Sequence, residues 1–259
     1  MKEEKEKMPV LFIGHGNPMN AITSNHFTRS LENIGKNMTS KIKAIMVVSA
    51  HWLTKGTFVN VVEKPEIIYD FYGFPKELYQ VRYPVMGAPI EAKEVANLAS
   101  EIIENDKWGL DHGSWAILKH IFPKADIPVF QLSINYDRPM QYHFDLAQKL
   151  KGLRENGVLV IGSGNLVHNL SLAFRSKDDA PYDWAMEFDE IVKNNIVNRD
   201  FDSLIHYEKF GRAAELSIPT VDHYFPLLYS LGLAEEKDDI SFFYEEVFSS
   251  ISMRCLKIG

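Results

Sequence analysis

The chain has 259 residues, enough for one large domain, and a formal net charge of −7 at pH 7. This acidic balance argues against nucleic acid as a partner, because a phosphate backbone attracts a basic surface, and the single cysteine excludes an intrachain disulfide. Because no stretch approaches the ~20 apolar residues of a membrane span and the N-terminus lacks the apolar run of a signal peptide, we expect a cytoplasmic protein that contacts no membrane.

A charged tail at 1–7 precedes a predicted single domain at 8–259, in which strands and helices alternate. Short apolar runs, several rich in β-branched residues, predict strands at 9–13, 42–49, 57–62, 127–133 and 158–161, and a terminal strand pair at 241–248 and 251–258. Helical spacing of apolar residues predicts helices at 27–37, 89–105, 139–155, 181–198 and 221–231, and a short helix that ends near 122. This alternation is typical of an α/β domain with a mostly parallel central sheet flanked by helices.

Five of the nine histidines lie at predicted element ends beside small or turn-forming residues; they are His15, His51, His112, His168 and His223. In open α/β sheets, ligands gather at the carboxyl ends of strands. Neutral imidazole is the commonest metal-binding side chain, and a catalytic metal site keeps about three protein ligands. The pattern predicts a metal site at the carboxyl ends of the strands. The other four are expected to be ordinary surface or helix-end residues; they are His26, His120, His143 and His206.

Other common site motifs are absent from the sequence. The glycines at 14, 16, 162 and 164 match neither the dinucleotide-binding fingerprint nor a P-loop, and neither a nucleophile elbow nor a His-Glu-x-x-His motif occurs. A lone Gly-x-Gly is a weak signal. We expect these glycines to let the backbone turn sharply beside the neighbouring histidines.

Six segments in register resemble the class III extradiol ring-cleavage dioxygenases, and more narrowly the 4,5-DOPA extradiol dioxygenase subfamily of bacteria and pigment-making plants. They are FIGHGNPM at 12–19, VSAHW at 48–52, YDFYGFP at 69–75, GLDHGSW at 109–115, IGSGNLVHN at 161–169 and DHYFPL at 222–227. The similarity runs in order from about residue 9 to the C-terminus, so it is more specific than any single motif.

By position, the resemblance implies that His15 and His51 are the first two metal ligands and that His223 is the third. Iron members of the wider class have a glutamate as the third ligand. Three imidazoles resemble a zinc site more than the two-histidine-one-carboxylate site of non-haem iron oxygenases. We therefore expect one divalent metal per chain, with zinc bound and Fe(II) needed for ring cleavage.

The resemblance implies that the enzyme opens the ring of a DOPA-like catechol with O2 and forms a muconate semialdehyde. His168, with a pKa expected near the working pH, would take a proton from the catechol and later return one, and it is also a candidate metal ligand in the resting state. His112 would hydrogen-bond the substrate or the bound oxygen. Tyr72 and Phe74 are candidates for the wall of the substrate pocket.

Two other functions compete with ring cleavage at this point. A zinc hydrolase could use the same imidazoles, with Asp111 or Asp222 as the general base. A protein on a related fold could bind partners without catalysis, but such proteins are expected to lose the metal-binding histidines, which remain here. The sequence leaves the physiological catechol and the oligomeric state open. Five basic residues are candidates to bind a substrate carboxylate: Arg29, Lys55, Lys76, Arg82 and Arg175.

Overall fold

The structure is a computed structural model that describes residues 7–38, 41–173 and 179–259. Most of the predicted N-terminal tail and the candidate Arg175 lie outside these residues. Ten strands occur in the described ranges: β1 Val10–Gly14, β2 Ala44–Thr54, β3 Thr57–Asn60, β4 Ile102–Asn105, β5 Val129–Asn135, β6 Val158–Gly164, β7 Ile240–Tyr244, β8 Val247–Phe248, β9 Ile251–Ser252 and β10 Cys255–Ile258.

The helices of the described residues connect these strands and cover both faces of the sheet. They are α1 His26–Lys36, α2 Pro89–Leu98, α3 His112–Ile121, α4 Met140–Lys149, α5 Gly152–Glu155, α6 Leu170–Ala173, α7 Asp183–Val197, α8 Phe201–Ile205, α9 Arg212–Ser217 and α10 Phe225–Gly232. Short 3₁₀ turns occur at Pro18–Ile22, Leu78–Gln80 and Tyr207–Phe210. None of the helices in these ranges combines the length and the apolar character needed to cross a bilayer.

Eight strands form one sheet in the order β4-β3-β5-β2-β6-β1-β10-β7. The four central strands, β5, β2, β6 and β1, run parallel to one another, whereas β3 and β10 pair antiparallel with this central group. The prediction of an α/β domain with a mostly parallel central sheet is confirmed. Because the central strands are parallel, their carboxyl ends meet at one edge of the sheet.

Alternate side chains of each central strand enter two different hydrophobic cores. In β1, Val10 and Phe12 face the core beneath α2, α4, α7 and α10, whereas Leu11 and Ile13 face the core beneath α1 and α3. This alternation follows from the two-residue period of a strand. It explains why the central strands read as continuous apolar runs, since helices cover both faces.

Two predicted helices are shorter in the structure. The helix predicted at 89–105 ends at Leu98, and the β-branched residues that follow form the edge strand β4, which pairs parallel with β3. The helix predicted at 139–155 stops at Lys149 and resumes at Gly152, a residue with poor helix propensity. In both cases local periodicity continued past the point where backbone conformation or strand pairing ended the helix.

His143 also departs from its predicted surface position. Its side chain is fully buried between α4 and α10, where Nδ1 lies 3.0 Å from the Tyr229 hydroxyl and the ring packs on Phe225. The polar neighbours of His143 in the sequence lie on other faces of the helix. Helical position decides burial here, and the identity of adjacent residues does not.

Candidate functional site

The carboxyl edge of the parallel strands is where the predicted histidines converge. His15 directly follows β1, and its backbone N–H donates to the carbonyl of Gly164 at the end of β6 (3.0 Å). Next to His15, Gly16 adopts a φ of 62°, which turns the chain away from the sheet after the histidine. The β1–β6 register therefore determines where the His15 imidazole lies.

His51 comes from an irregular part of β2. The pairing of β2 with β5 shifts register between Val48 and Leu53, and the backbone N–H of His51 donates to Ser49 Oγ (3.2 Å). A register shift of this kind redirects side chains that a regular strand would place on alternate faces. The His51 ring lies 5.1 Å from the His15 ring, measured between centroids.

His223 lies in the connection between α9 and α10 and is held above the end of β6. The backbone N–H of Asn165 donates to the His223 carbonyl (2.9 Å). A Cβ atom on Gly164 would lie 2.1 Å from that carbonyl oxygen, so this close approach requires glycine. Gly164 belongs to strand β6, so glycine is needed there for close packing, whereas the sharp turn expected from the sequence occurs at Gly16.

His112 is the first residue of α3, and the preceding Asp111 caps that helix. Asp111 Oδ1 accepts hydrogen bonds from the Ser114 backbone (3.1 Å) and Ser49 Oγ (2.7 Å), and Oδ2 accepts from Gln131 Nε2 (2.7 Å). Burial, together with the charge of Asp70, raises the pKa of Asp111 above its usual range. Asp111 is fully buried and both of its carboxylate oxygens accept hydrogen bonds, so it is not accessible to a substrate as a general base.

His168 reaches the cluster from the segment that follows β6. Its backbone N–H donates to the Ser217 carbonyl (2.9 Å), and it forms an antiparallel bridge with Ile251 of β9. The rings of His168 and His223 are stacked, with centroids 3.4 Å apart and planes inclined by 13°. All five predicted histidines therefore lie in one cluster.

In four rings of the cluster, an oxygen atom lies beside Nδ1. His15 Nδ1 lies 2.9 Å from Ser163 Oγ, and His223 Nδ1 contacts Asp222 Oδ2. His112 and His51 share one carboxylate oxygen, Oδ2 of Asp70, at 2.9 and 3.3 Å from their Nδ1 atoms. Partners of this kind fix the orientation of metal-binding imidazoles, and they leave the four Nε2 atoms available.

Three of these rings have the spacing of ligands to one metal ion. Centroid distances are 5.1 Å for His15–His51 and 5.2 Å for both His15–His223 and His51–His223. Imidazoles bound through Nε2 at about 2.0–2.1 Å to a tetrahedral ion would have centroids about 5.2 Å apart. Ligand atoms lie within 4.8 Å of one another in two groups of the described residues: His15 with His51 and His112, and His168 with Asp222 and His223. The ring spacing connects His223 to His15 and His51, whereas the centroid distances of His112 to these two rings, 5.8 and 4.0 Å, are unequal. The donor set fits a divalent metal.

Burial keeps the imidazoles of His15, His51 and His168 neutral. Desolvation, followed by repulsion from neighbouring histidines, lowers the pKa of both His15 and His51 well below 6.5. Burial also lowers the pKa of His168 to about 3, so the expectation of a value near the working pH is wrong for this environment. A neutral imidazole binds metal or accepts a proton without first losing one.

Asp222 is engaged in the same way as Asp111. Burial alone would raise the pKa of Asp222, but the hydrogen bond and the charge of His223 hold it below its usual range. Its carboxylate is a partner of a cluster histidine, so the second candidate base of a zinc hydrolase is committed to orienting His223.

The aromatic loop lies against the histidines through a residue that was not predicted. Phe71 packs edge-on against His112 (centroids 5.4 Å apart), and Phe74 packs behind Phe71 at 5.3 Å. The side chain of Tyr72 is 91% exposed, at the outer side of the loop. Phe74 therefore stands one layer away from the histidines, and Tyr72 faces solvent.

Four of the basic candidates for a substrate carboxylate lie on the surface in the described ranges: Arg29, Lys55, Lys76 and Arg82. Arg82 already donates hydrogen bonds to the Tyr69 hydroxyl (2.6 Å) and to the Val81 carbonyl (2.9 Å). The fifth, Arg175, lies outside the described residues.

Sequence reasoning did not assign roles to Asp70, Phe71 or Ser163. Each lies inside a segment that carries the family resemblance, which was the available signal. Their partners are far away in the chain: 42 residues separate Asp70 from His112, and 148 separate Ser163 from His15. Only the folded arrangement of the segments reveals such contacts.

The chain is similar to known proteins over most of its length. A protein from Escherichia coli (strain K12) named 4,5-DOPA dioxygenase extradiol is 41% identical over 260 residues, which covers 98% of this chain and 95% of the relative. A protein of the same name from Beta vulgaris is 37% identical over 91% of this chain and 90% of its own length. The crystal structure of an uncharacterized protein from Escherichia coli K12 superposes with a TM-score of 0.85 at 38% identity and covers 98% of this chain and 100% of the other.

The family model described as the catalytic LigB subunit of aromatic ring-opening dioxygenase matches residues 9–253. The match spans all six segments and all five histidines of the cluster. The chain therefore belongs to the LigB family of aromatic ring-opening dioxygenases.

Proposed function

We propose that the protein cleaves the ring of a DOPA-like catechol beside its paired hydroxyls, with O2 as co-substrate. The observation that carries the proposal is the cluster of three equally spaced imidazoles with a fourth, His168, stacked against His223. The names of the relatives support a DOPA-like substrate. One ring carbon–carbon bond breaks and both atoms of O2 enter the muconate semialdehyde, so the reaction needs no further oxidant or reductant.

In this proposal His15, His51 and His223 hold one divalent ion through Nε2. When bound, the ion supplies Lewis acidity that lowers the pKa of the catechol hydroxyls, and Fe(II) additionally supplies electron exchange with O2. Zinc suits an all-imidazole ligand set but has no redox chemistry. We therefore expect zinc to bind and Fe(II) to be required for turnover.

His168 is the proposed acid/base. Burial lowers its pKa to about 3, which keeps the imidazole neutral but makes it a weak base. In this proposal it accepts the first proton from a catechol hydroxyl only because the hydroxyl is acidified by the bound ion and the resulting catecholate charge lies beside it, and it returns the proton as the ring opens. The stacking distance of 3.4 Å to His223 favours this role over that of a further ligand, since two imidazoles on one ion would lie about 5.2 Å apart.

His112 and the aromatic loop are proposed to hold the substrate. The Nδ1 of His112 faces Asp70, so its Nε2 can accept a hydrogen bond from a substrate hydroxyl. Phe71 supplies an apolar wall beside His112, and Phe74 supports that wall from behind. Tyr72 would contact substrate from the solvent side of the loop.

The test is anaerobic reconstitution of the metal-free protein with Fe(II) or Zn(II), followed by oxygen uptake and absorbance with a panel of catechols. We expect oxygen uptake and a yellow product with Fe(II), and none with Zn(II). His168→Ala should retain one metal per chain and lose about 10²–10⁴-fold in kcat. His206→Ala is the matched control, because His206 is a surface histidine outside the cluster; this variant should behave as the wild type.

Full activity in His168→Ala would show that the acid/base assignment is wrong. Hydrolysis of an ester or amide by the zinc form, without oxygen uptake by the iron form, would replace ring cleavage with the hydrolase alternative. The first outcome is measured on the iron form of the variant, and the second on the zinc and iron forms of the wild type.

A further inference from the structure

A carboxylate that was not part of the predicted site lies between two of its histidines. Asp70 Oδ2 is 2.9 Å from His112 Nδ1 and 3.3 Å from His51 Nδ1. Asp70 Oδ1 accepts the backbone N–H of His112 at 2.8 Å. One carboxylate therefore contacts both a proposed metal ligand and the proposed substrate-binding histidine.

The loop that carries Asp70 is attached to the domain on the side of α3. The backbone N–H of Ile68 donates to the Leu110 carbonyl (2.7 Å), and Trp115 Nε1 donates to the Ile68 carbonyl (2.9 Å). After Asp70, the ring of Phe71 packs against His112. These contacts on both sides hold the Asp70 carboxylate in place.

The hydrogen-bonding capacity of the groups determines the tautomers. An ionised carboxylate accepts hydrogen bonds and donates none, so a neutral imidazole whose Nδ1 faces it carries its hydrogen there. The contact of His112 Nδ1 with Asp70 therefore leaves Nε2 of His112 with its lone pair. Nε2 of His51 lies 3.2 Å from Nε2 of His15. Because Ser163 Oγ donates to the Gly113 carbonyl, it accepts from His15 Nδ1, so in the metal-free chain the hydrogen of the His51–His15 contact belongs to His51 Nε2.

We propose that Asp70 is a positioning residue that sets the Nδ1–H tautomer of His112 and favours the Nδ1–H form that His51 takes when its Nε2 binds metal. It thereby presents one Nε2 to the metal and the other to the substrate, and it couples both to the aromatic loop. This inference rests on the proposed function for the role of His51 as a ligand. Asp70 itself touches neither metal nor substrate.

The test uses the full chain with Asp70→Asn. The new amide has a single acceptor oxygen, so when this oxygen keeps the His112 backbone N–H, the NH₂ group faces His112 Nδ1. The His112 imidazole should then change to the Nε2–H tautomer. ¹⁵N-edited long-range NMR of the metal-free protein reports this directly. Affinity for Co²⁺, measured by titration of its visible absorbance, should fall about 10–100-fold, as it does when outer-shell partners of ligands are removed.

Two further variants separate positioning from a structural effect. Asp70→Glu keeps the acceptor and should recover most of the Co²⁺ affinity. Glu77→Gln removes an exposed carboxylate from the same loop and should change neither tautomers nor affinity. Thermal unfolding of each variant shows whether the fold is intact.

The wild type alone already decides the central point. Metal-free wild-type protein should show Nδ1–H on His112, and Nε2–H on this ring would overturn the proposal even if Asp70→Asn fails to fold. Unchanged tautomers and Co²⁺ affinity in a folded Asp70→Asn protein would overturn it as well. None of these measurements uses a catechol, so a failure of the proposed ring cleavage would appear separately, as metal binding without oxygen uptake.

Discussion

At the scale of single residues, the negative charge near the proposed metal lies on carboxylates that contact the ligands, and not on the ligands themselves. The three proposed ligands are imidazoles, which bring no negative charge, but Asp70 and Asp222 contact two of them at Nδ1. A hydrogen-bonded carboxylate makes an imidazole a better donor and offsets part of the charge of a bound divalent ion. The chain therefore has carboxylates close to the metal position although its third ligand position holds an imidazole.

Gly164→Ala tests how tightly the His223 position depends on one missing side chain. The added Cβ would lie 2.1 Å from the His223 carbonyl, and neither backbone can yield without moving the histidine. We expect the free energy of unfolding to fall by about 1–3 kcal/mol, the usual cost of overpacking, and Co²⁺ affinity to fall as well. Denaturant unfolding and Co²⁺ titration measure the two effects. Gly152→Ala, with no atom within 4 Å of the added Cβ, is the control: Co²⁺ affinity should stay unchanged and stability should not fall, since alanine favours the helix more than glycine does.

At the scale of elements, a buried ion pair joins α7 to the C-terminal strands. Arg254 contacts both carboxylate oxygens of Asp189 through Nε (3.1 and 3.0 Å), and Asp189 Oδ1 also accepts from Ser252 Oγ (2.6 Å). Ser252 lies in β9, and its carbonyl accepts from Asn165 Nδ2 (2.8 Å). The pair therefore supports the strand that lies beside the His168 segment.

Arg254→Leu should destabilise the protein by about 3–5 kcal/mol, because it leaves the Asp189 charge buried without its partner. The double variant Arg254→Leu/Asp189→Leu removes both charges and should recover most of that loss. Urea unfolding of the wild type, both single variants and the double variant completes the cycle. Equal stability of the single and double variants would contradict this account of the pair.

At the scale of the whole molecule, buried histidines make stability depend on pH. Burial lowers the pKa of His143 from about 6.5 to about 4, so between these values the unfolded chain binds a proton that the folded chain does not. Falling pH therefore favours unfolding across this window, and the contribution of His143 is fully present above pH 6.5.

His143→Leu should reduce this acid sensitivity. At about 1.4 kcal/mol per pKa unit, His143 accounts for about 2–3 kcal/mol of the stability lost by the metal-free wild type between pH 7 and pH 4.5, and the variant should lack this part. At pH 7 the variant is expected to be less stable by about 1–3 kcal/mol, because the buried Tyr229 hydroxyl loses its partner. Urea unfolding at the two pH values checks both effects. His206→Leu, on the surface, should keep the wild-type pH slope.

Much of the fold could be predicted from the sequence because its signals are local. The central strands β2, β5 and β6 are continuous apolar runs, and such runs mark strands that helices cover on both faces. Element boundaries were less certain: the end of α2 at Leu98 depends on the pairing of β4 with β3, which local periodicity does not contain.

For the site, the sequence by itself determined which histidines stand at element ends and which family they indicate, since motifs are contiguous in the chain. Only the tertiary structure decided that the rings of His15, His51 and His223 are equally spaced and that Asp70 lies between His51 and His112. The physical reason is that ligand spacing and hydrogen-bond partners are set by strand register and loop docking. Strand register and loop docking bring together residues that are tens to hundreds of positions apart, and a local sequence pattern contains no information on such contacts.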